Sequence, residues 1–446
     1  MVSRNVLVIT GDSIAPSMAG PGIRALQLGT VLGQSNNVRV VTTGDFSPIE
    51  STIFVDKASR RQLKEHANWA DVILFQGFTL LQYPWLRHSN ALLIADLYDP
   101  LHLEQLEDTH GEELETRTEA IRGTVAAITE QLRYADFIIC ASDKQRDFWL
   151  GYLSALGRIN PANYVQDSTL RELIAVVPFG VSDDDPIRNN SGIRGVVPGI
   201  GDEDFVLIWG GGIYNWFDPL TLIKAVQKVS RTHPELKLFF MGITHPNPMF
   251  NEYSMSDKAI MLAEELGVRD KHVFFNESWV PFDERANYLL DANVGVSTHF
   301  VHLETAFSFR TRLLDYLWAG LPIIATEGDN FAPIIEHHQL GLVVDESDVD
   351  NCADAIITMI ENPQILEKYA NNVSRIRERF RWSRVAEPIA DFVSRGVHAA
   401  DYLRPVPTIP LHVKREYWIT GKIRGAKLAF QEGGFQLLIR KLTDRT

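Results

Sequence analysis

Short apolar runs alternate with longer amphipathic stretches along the first part of the chain. This alternation is typical of a parallel sheet that is covered by helices on both faces. It ends at the acidic run Asp183–Pro186 and a Gly-, Pro- and Asn-rich stretch to Gly201, which we predict to be a linker. The predicted strands are Val6–Thr10, Val38–Thr43, Val72–Gln76, Leu92–Leu97, Phe137–Ala141 and Ile174–Val177, and the predicted helices among them include Ile23–Gly33, Arg60–Trp69 and Thr116–Tyr134.

The same pattern restarts at Phe205 and ends at about Val385, which predicts a second doubly wound sheet. Ligands of such sheets bind beyond the carboxyl ends of the strands, so two facing sheets predict a cleft between them. We therefore expect domains at 1–185 and 200–385, and a helical segment at 386–446 that packs back on the first domain. The predicted strands are Phe205–Trp209, Leu236–Met241, His272–Phe275, Val294–Val296, Ile323–Thr326 and Leu340–Val344. The predicted helices are Leu220–Thr232, Asp257–Leu266, Asp283–Leu290, Arg310–Ala319 and Val349–Ile360.

The totals narrow the class of protein. A length of 446 residues, with 45% hydrophobic and 22% charged residues, suits two globular domains. The net charge of −14 argues against a nucleic-acid binder, because contact with a phosphate backbone needs an excess of Lys and Arg. The N-terminal apolar run is too short for a signal peptide, and no run reaches the roughly 18 apolar residues of a membrane span. We expect a cytoplasmic protein.

No metal or disulfide chemistry is expected. The two cysteines, Cys140 and Cys352, lie far apart in the chain and form no framework or ligand motif. The acidic run Asp183–Asp185 resembles a metal motif, but three adjacent carboxylates point in different directions and are usually solvated. The histidines show no HExxH or similar spacing.

The stretch Glu304–Pro322, followed by the short strand from Ile323, carries the clearest candidate site. It reads as a helix that Gly320 and Pro322 terminate. The start of a helix presents free amides and a positive dipole end, which favours an anion. Because Arg310 and Arg312 stand at this start, the stretch predicts a diphosphate site.

Three other loops follow predicted strands and are candidates for the cleft. The loop with Ala19–Arg24 has glycines but not the GxGxxG spacing, so an ordinary strand-to-helix loop is an equal alternative. Gly210–Gly212 are costly in entropy unless a ligand must approach the backbone closely. In Asp96–Glu104, Asp99 and His102 are candidates to bind sugar hydroxyls or handle a proton. The alternative for that loop is a turn at Asp99 with His102 as a polar surface residue.

The tail from Val413 is basic and amphipathic. Two interpretations stay open: a final helix packed on the first domain with a solvated basic face, or a surface that contacts an anionic membrane or a lipid-linked substrate.

The chain resembles the retaining glycosyltransferases of the GT-B fold, from the large family 4 group, over roughly residues 1 to 395. Among them it is most similar to bacterial transferases that build exopolysaccharide or lipid-linked glycans. The residues that carry the resemblance are Glu304–Pro322 with Glu327-Gly328-Asp329, Ala19–Arg24, Trp209–Gly212, Trp216, Asp218-Pro219 and Trp279-Val280-Pro281.

The resemblance implies roles for individual residues. Val280 would contact the base, Asp315 the ribose hydroxyls, and Gly211-Gly212 the nucleotide or the sugar. Glu304 would face the sugar, although the spacing common in the family puts Phe307 there. The candidate catalytic residues are Glu304, Arg310, Asp99 and His102, and the candidate substrate-binding residues are Gly20, Gly22, Gly211, Gly212, Trp216, Val280, Thr305, Thr311, Arg312 and Asp315.

Two departures from the family's pattern concern charge. The second glycine loop lacks the usual Arg and Lys, so Arg310 and Arg312 are the expected replacements. A guanidinium binds phosphate through two parallel hydrogen bonds and stays charged. The first-domain histidine common in the family is also missing, and Tyr98-Asp99 stand in its place.

The resemblance implies transfer of a sugar, with retention and without a metal or other cofactor, from a nucleoside diphosphate sugar to an acceptor hydroxyl. UDP-glucose is the expected donor, and a glycan or lipid-linked glycan is the expected acceptor. The protein would be cytoplasmic, and the second interpretation of the basic tail would add peripheral contact at the inner face of the membrane. The alternatives are a sugar-nucleotide hydrolase or epimerase of the same fold, and a non-catalytic nucleotide-binding partner subunit.

Overall fold

The structure is a computed structural model that describes residues 3–16, 18–109, 111–243, 254–278 and 280–402. The basic tail from Val413 and Trp279 of the Trp279-Val280-Pro281 motif lie outside the described residues.

The first domain is a parallel sheet with helices on both faces, as predicted, but it has seven strands where six were predicted. Its strand order is β3-β2-β1-β4-β5-β6-β7. The strands are β1 Asn5–Thr10, β2 Asn37–Thr42, β3 Phe54–Lys57, β4 Val72–Gln76, β5 Leu92–Asp96, β6 Phe137–Cys140 and β7 Ile174–Val176. The helices are α1 Gly20–Gly33, α2 Arg60–Trp69, α3 Thr79–Gln82, α4 Leu101–Asp108, α5 Leu114–Tyr134, α6 Asp143–Ala155 and α7 Pro161–Gln166, with a 3-10 turn at Pro84–His88.

The second domain repeats the architecture with six parallel strands in the order β10-β9-β8-β11-β12-β13. The strands are β8 Phe205–Trp209, β9 Leu236–Phe240, β10 Val273–Phe275, β11 Val294–Ser297, β12 Ile323–Thr326 and β13 Gly341–Val344. The helices are α8 Pro219–Val229, α9 Ser254–Glu265, α10 Arg285–Leu289, α11 Leu303–Phe307, α12 Thr311–Ala319, α13 Ala332–His338, α14 Val349–Glu361, α15 Pro363–Arg377, α16 Trp382–Val385 and α17 Glu387–Arg395, with a 3-10 turn at Glu378–Phe380.

Both sheets are doubly wound, and this topology decides where a ligand fits. In each sheet the order reverses beside the first strand, at β1/β4 and at β8/β11. Such a reversal opens a crevice beyond the carboxyl ends of the strands. The loops after β1 and β8 are the ones that carry the glycines, so the fold places both glycine loops at these crevices.

The chain crosses between the domains twice. The predicted linker has no regular element between β7 and β8, and the carboxylate of its Asp185 pairs with Arg377 at 3.2 Å and with Arg381 at 2.9 Å. Beyond α16 the chain returns to the first sheet, where Phe392 stacks on Phe137 with ring centroids 4.6 Å apart.

Two absences apply to the part of the chain that the structure describes. No helix there is long and apolar enough to cross a membrane. Within the same residues, no group of three or more His, Cys, Asp or Glu side chains is placed to hold a metal ion.

Candidate active site

A cavity of about 260 Å³ lies between the two domains. The first domain contributes the loop before α1 and the loop and helix after β5. The second contributes the glycine loop after β8 and the segment that joins α11 to α12. The cavity therefore lies where the carboxyl ends of the two sheets face each other.

The glycine loop Gly210–Gly212 forms part of the cavity wall, and Tyr316 fixes its start. The Gly210 N–H donates to the Tyr316 hydroxyl at 2.8 Å. Gly211 has φ +85°, a conformation that glycine adopts without strain, and a Cβ there would meet no atom within 4 Å. The backbone at Gly211 is thus open to the cavity, as a phosphate-binding loop requires.

Arg312 lies behind this loop and brings a buried positive charge to the cavity. Its Nη2 donates to the Gly212 carbonyl at 2.7 Å. The guanidinium carbon is 4.4 Å from the ring centroid of Trp209 and 4.0 Å from that of Phe217. Burial lowers the pKa of Arg312 to about 10, so it stays charged at neutral pH. Its Nη1 is buried and has no hydrogen-bond partner in the described part of the chain.

Arg310 is already engaged by an acid, which distinguishes it from Arg312. It binds Glu304 through two hydrogen bonds of 3.1 and 2.7 Å, and each side chain is only 5% exposed. Glu304 stands in the first turn of the short helix α11, and the chain then turns at Ser308 to bring Arg310 back to it. Both residues line the cavity, but the Arg310 charge is balanced before any diphosphate arrives.

Asp315 and Arg285 form a second pair at the cavity. The Arg285 Nε donates to Asp315 Oδ1 at 3.0 Å, and the guanidinium carbon lies 3.6 Å from the ring centroid of Phe282. Burial raises the pKa of Asp315, and Arg285 opposes that shift. Val280 lines the cavity on this side, and so does Trp216.

On the first domain, Asp99 and Glu104 line the cavity and form a hydrogen bond with each other. Burial raises the pKa of Asp99 to about 6. Burial also raises the pKa of Glu104 well above its usual value, and the neighbouring Asp99 adds to the shift. Gly20, at the start of α1, also lines the cavity on this side. A Cβ added to Gly20 would lie 3.8 Å from the Tyr98 hydroxyl oxygen.

The structure brings together eleven of the fourteen residues proposed from sequence and leaves three outside the cavity. The residues that line it are Gly20, Asp99, Gly211, Gly212, Trp216, Val280, Glu304, Arg310, Thr311, Arg312 and Asp315.

Three residues proposed from sequence do not line the cavity. His102 stacks on Phe148 at 5.7 Å, between ring centroids, and burial lowers its pKa. Gly22 packs so closely that a Cβ would lie 2.6 Å from the Ser13 carbonyl oxygen. The Thr305 hydroxyl donates to the Phe300 carbonyl at 2.7 Å. The structure therefore places His102, Gly22 and Thr305 outside the lining of this cavity.

Several cavity residues were absent from the candidates proposed from sequence. Glu104 lies two residues after His102 in a loop whose candidates were Asp99 and His102, and no motif marks Arg285. The one usable signal for Glu104 is its position in the first turn of a helix that follows Pro100, since acids are favoured there.

Part of the chain matches a known protein family. Residues 197–376 match the family model described as "Glycosyl transferases group 1", which is less than half of the chain. The match runs through the domain that carries the glycine loop and Arg312.

Solved structures share the whole fold at low sequence identity. Sucrose-phosphate synthase from Thermosynechococcus elongatus aligns with a TM-score of 0.64 and 16% identity, over 88% of this chain and 98% of that one. HepE from Anabaena, in complex with UDP-glucose, aligns with a TM-score of 0.61 and 16% identity, over 88% of this chain and 100% of that one. The chain therefore has the GT-B fold, as predicted.

Similarity to curated proteins is confined to a short segment. Over 83 residues the chain is 34% identical to the GDP-mannose-dependent alpha-(1-6)-phosphatidylinositol monomannoside mannosyltransferase of Mycobacterium tuberculosis. That segment is 18% of this chain and 21% of the relative. The chain thus matches about a fifth of the length of this relative.

Proposed function

We propose that the protein transfers a sugar from a nucleoside diphosphate sugar to an acceptor hydroxyl, with retention of configuration. The observation that carries the proposal is the pairing of an open glycine loop with the unpartnered Nη1 of buried Arg312 in one cavity. A buried cation that keeps a free donor is costly unless an anion completes its hydrogen bonds. A diphosphate fits this requirement, and the group 1 match supports it.

In the proposed mechanism, the main task is to stabilise negative charge on the leaving diphosphate. Fixed donors that point at developing charge do this most effectively in a site that excludes water. Arg312, the backbone amides of Gly211 and Gly212, and the start of α12 at Thr311 supply these donors. The acceptor oxygen attacks the face of the sugar from which the diphosphate departs, and a phosphate oxygen takes the acceptor proton. This mechanism needs no protein nucleophile and no metal.

In this proposal Arg310 supports Glu304, whereas its position in the sequence suggested that it binds the diphosphate. Because Glu304 already binds it, Arg310 holds the Glu304 carboxylate in place at the cavity edge. Glu304 would then face the sugar hydroxyls, with Arg310 as its support. Asp315 would hold the ribose hydroxyls, and Val280 and Trp216 would contact the base and the sugar.

UDP-glucose is the donor we propose first. HepE, which has the same fold, holds UDP-glucose in its structure, whereas the mycobacterial relative is named as GDP-mannose-dependent. Both donors must therefore be tested. We propose a glycan or lipid-linked glycan as the acceptor, and a cytoplasmic enzyme that meets the inner face of the membrane through its basic tail.

The test is a donor screen on the full-length protein. UDP or GDP release would be followed with UDP-glucose, UDP-galactose, UDP-N-acetylglucosamine and GDP-mannose, with and without acceptor glycans, and the anomeric configuration of the product read by NMR. We expect one donor to react, with retention. Release of free sugar that no acceptor changes would indicate a hydrolase, and binding without turnover would indicate a non-catalytic subunit.

The variant Arg312→Gln tests the phosphate assignment within that screen. Loss of one fixed donor to the leaving group is expected to lower kcat by about 10²–10³-fold. Arg384→Gln is the matched control, because Arg384 is 67% exposed and pairs with Glu387 away from the cavity. If Arg312→Gln turned over the donor as fast as this control, the phosphate assignment would be wrong.

A further inference from the structure

The carboxyls around the cavity differ in how their charge is balanced. Asp96 is held by Arg24 with hydrogen bonds of 2.7 and 3.0 Å, and Glu304 is held by Arg310. Asp99 and Glu104 bond to each other instead, and no Lys or Arg pairs with either of them in the described part of the chain. Two ionised carboxyls in direct contact repel strongly, so a proton must lie between them.

The charged groups near Asp99 and Glu104 are mostly acidic. Glu104 faces Asp108 on its own helix and Glu304 on α11, which packs against α4. Asp99 faces Glu304, Asp96 and, on the positive side, Arg310. Tyr214 of the second domain also lies near Glu104. Burial raises the pKa of Tyr214 to about 12, and the charge of Glu104 adds to that rise.

The two carboxyls come from different elements, one from a loop and one from a helix. Asp99 follows β5 in the loop before Pro100, and Glu104 stands in the first turn of α4. Both face the cavity that also holds Arg312, which is 7% exposed and has an unpartnered Nη1. The Asp99–Glu104 pair therefore lines the same cavity as Arg312, whose unpartnered Nη1 calls for an anionic ligand.

We propose that Glu104 remains protonated in the working enzyme and donates to Asp99, so that the Asp99 carboxylate accepts a hydrogen bond from the acceptor hydroxyl. This inference rests on the proposed function. Glu104 is then a positioning residue, and Asp99 is the residue that contacts the acceptor. Burial raises the pKa of both carboxyls, as expected of two acids that share one proton.

The arrangement also defines the chemical class of the acceptor group at this wall. One carboxylate with a neutral neighbour suits an uncharged polyol, whose hydroxyl donates to Asp99. An acceptor that presents a phosphate or carboxylate here would face Asp99 and Glu304 and be repelled. We therefore expect a neutral sugar to be used in preference to a uronic acid.

The first experiment measures protonation and needs no activity. Infrared difference spectra of the full-length, ligand-free protein at pH 7 compare wild type with Glu104→Gln and with Glu107→Gln, which changes a residue of the same helix that does not line the cavity. We expect Glu104→Gln to remove a protonated-carboxyl band that Glu107→Gln leaves in place. If Glu104→Gln removed only ionised-carboxylate bands, the inference would be overturned.

The second experiment compares the isosteric and truncating variants in kinetics with the donor identified above. Gln keeps a neutral donor to Asp99, so Glu104→Gln should retain kcat/KM for acceptor within about threefold, whereas Glu104→Ala should lose about tenfold or more. The probes are maltose and glucuronic acid, with water as the acceptor where neither reacts. Wild type should lose rate as the pH rises through the raised pKa of Glu104, and Glu104→Gln should lack that loss.

The results separate this inference from the proposed function. If wild type bound neither UDP- nor GDP-sugars, the proposed function would fail, while the infrared result would still report on the pair. If the donor bound and reacted but Glu104→Gln lost as much rate as Glu104→Ala, a charged Glu104 would be required and this inference would be rejected. The KM for donor should not change in any of these variants.

Discussion

Replacing Tyr316 with Phe removes a single hydroxyl at the base of the glycine loop. That hydroxyl accepts the Gly210 N–H at 2.8 Å and lies 2.8 Å from the Val296 carbonyl, to which it donates. The ring would stay in place, because it packs on Gly295 so closely that a Cβ there would lie 2.3 Å away. Tyr316→Phe therefore isolates the effect of the hydroxyl.

The expected cost follows from the groups left without partners. Tyr316 is 0% exposed, so the Gly210 N–H loses its partner where water cannot replace it. An unsatisfied buried donor costs about 1–3 kcal/mol. For a domain of about 200 residues, roughly 2 kcal/mol corresponds to a fall in Tm of about 4–8 °C. Because Gly210 begins the loop, the affinity for the donor nucleotide should fall as well.

The assay combines thermal unfolding with calorimetric titration of the donor nucleotide. Tyr288→Phe is the matched control, since Tyr288 is half-buried and stacks on Phe239 with ring centroids 6.0 Å apart. We expect the control to unfold and bind as wild type does. A Tyr316→Phe protein with wild-type Tm and nucleotide affinity would refute the role given to this hydroxyl.

Two further predictions concern pH and the contact between the domains. Burial lowers the pKa of His299 to about 3, so the folded protein does not take up the proton that the unfolded chain binds below about pH 6.5. Stability should be complete above that pH and fall by roughly 2 kcal/mol at pH 5, and urea unfolding of His299→Gln should show a smaller loss. Gln145 of the first domain donates to the Phe307 carbonyl of the second at 2.8 Å and accepts the Ala141 N–H at 2.7 Å. Gln145→Leu should lower stability by about 1–3 kcal/mol and increase the radius of gyration in X-ray scattering, and an unchanged radius would show that this contact does not hold the domains together.

The sheet pattern was predictable because its strands are buried on both faces. Such strands are continuous apolar runs, and Phe205–Trp209 and Ile323–Thr326 have the predicted bounds. Phe54–Lys57 was missed because it is a four-residue edge strand in which Phe54 is 46% exposed. With no buried run, it leaves no signal in hydrophobicity.

The difference between His102 and Glu104 shows why the site was harder to predict. Both residues follow β5, and because α4 was not predicted, nothing in the sequence favoured one of them over the other. Once Leu101–Asp108 is helical, residues two apart project in nearly opposite directions, so only one of them can face the cavity. Glu104 faces it, and His102 packs on Phe148.

The partners of Arg310 and Arg312 could not be predicted from the sequence either. The sequence indicates two positive charges before a helix, but not which acid meets each of them. Glu304 reaches Arg310 because α11 is a separate short helix and the chain turns back at Ser308. Arg312 is left with the glycine loop. The partner of each charge depends on a turn that hydrophobicity does not mark.

The central claim is that the cavity binds a nucleoside diphosphate through Arg312 and the glycine loop. Isothermal titration of the full-length protein with UDP and GDP, in wild type and in Arg312→Gln, tests it most directly. We expect one of the two nucleotides to bind wild type at one site per chain, and Arg312→Gln to weaken that binding by about tenfold or more. The absence of binding by either nucleotide, or equal affinity in the two proteins, would contradict the claim.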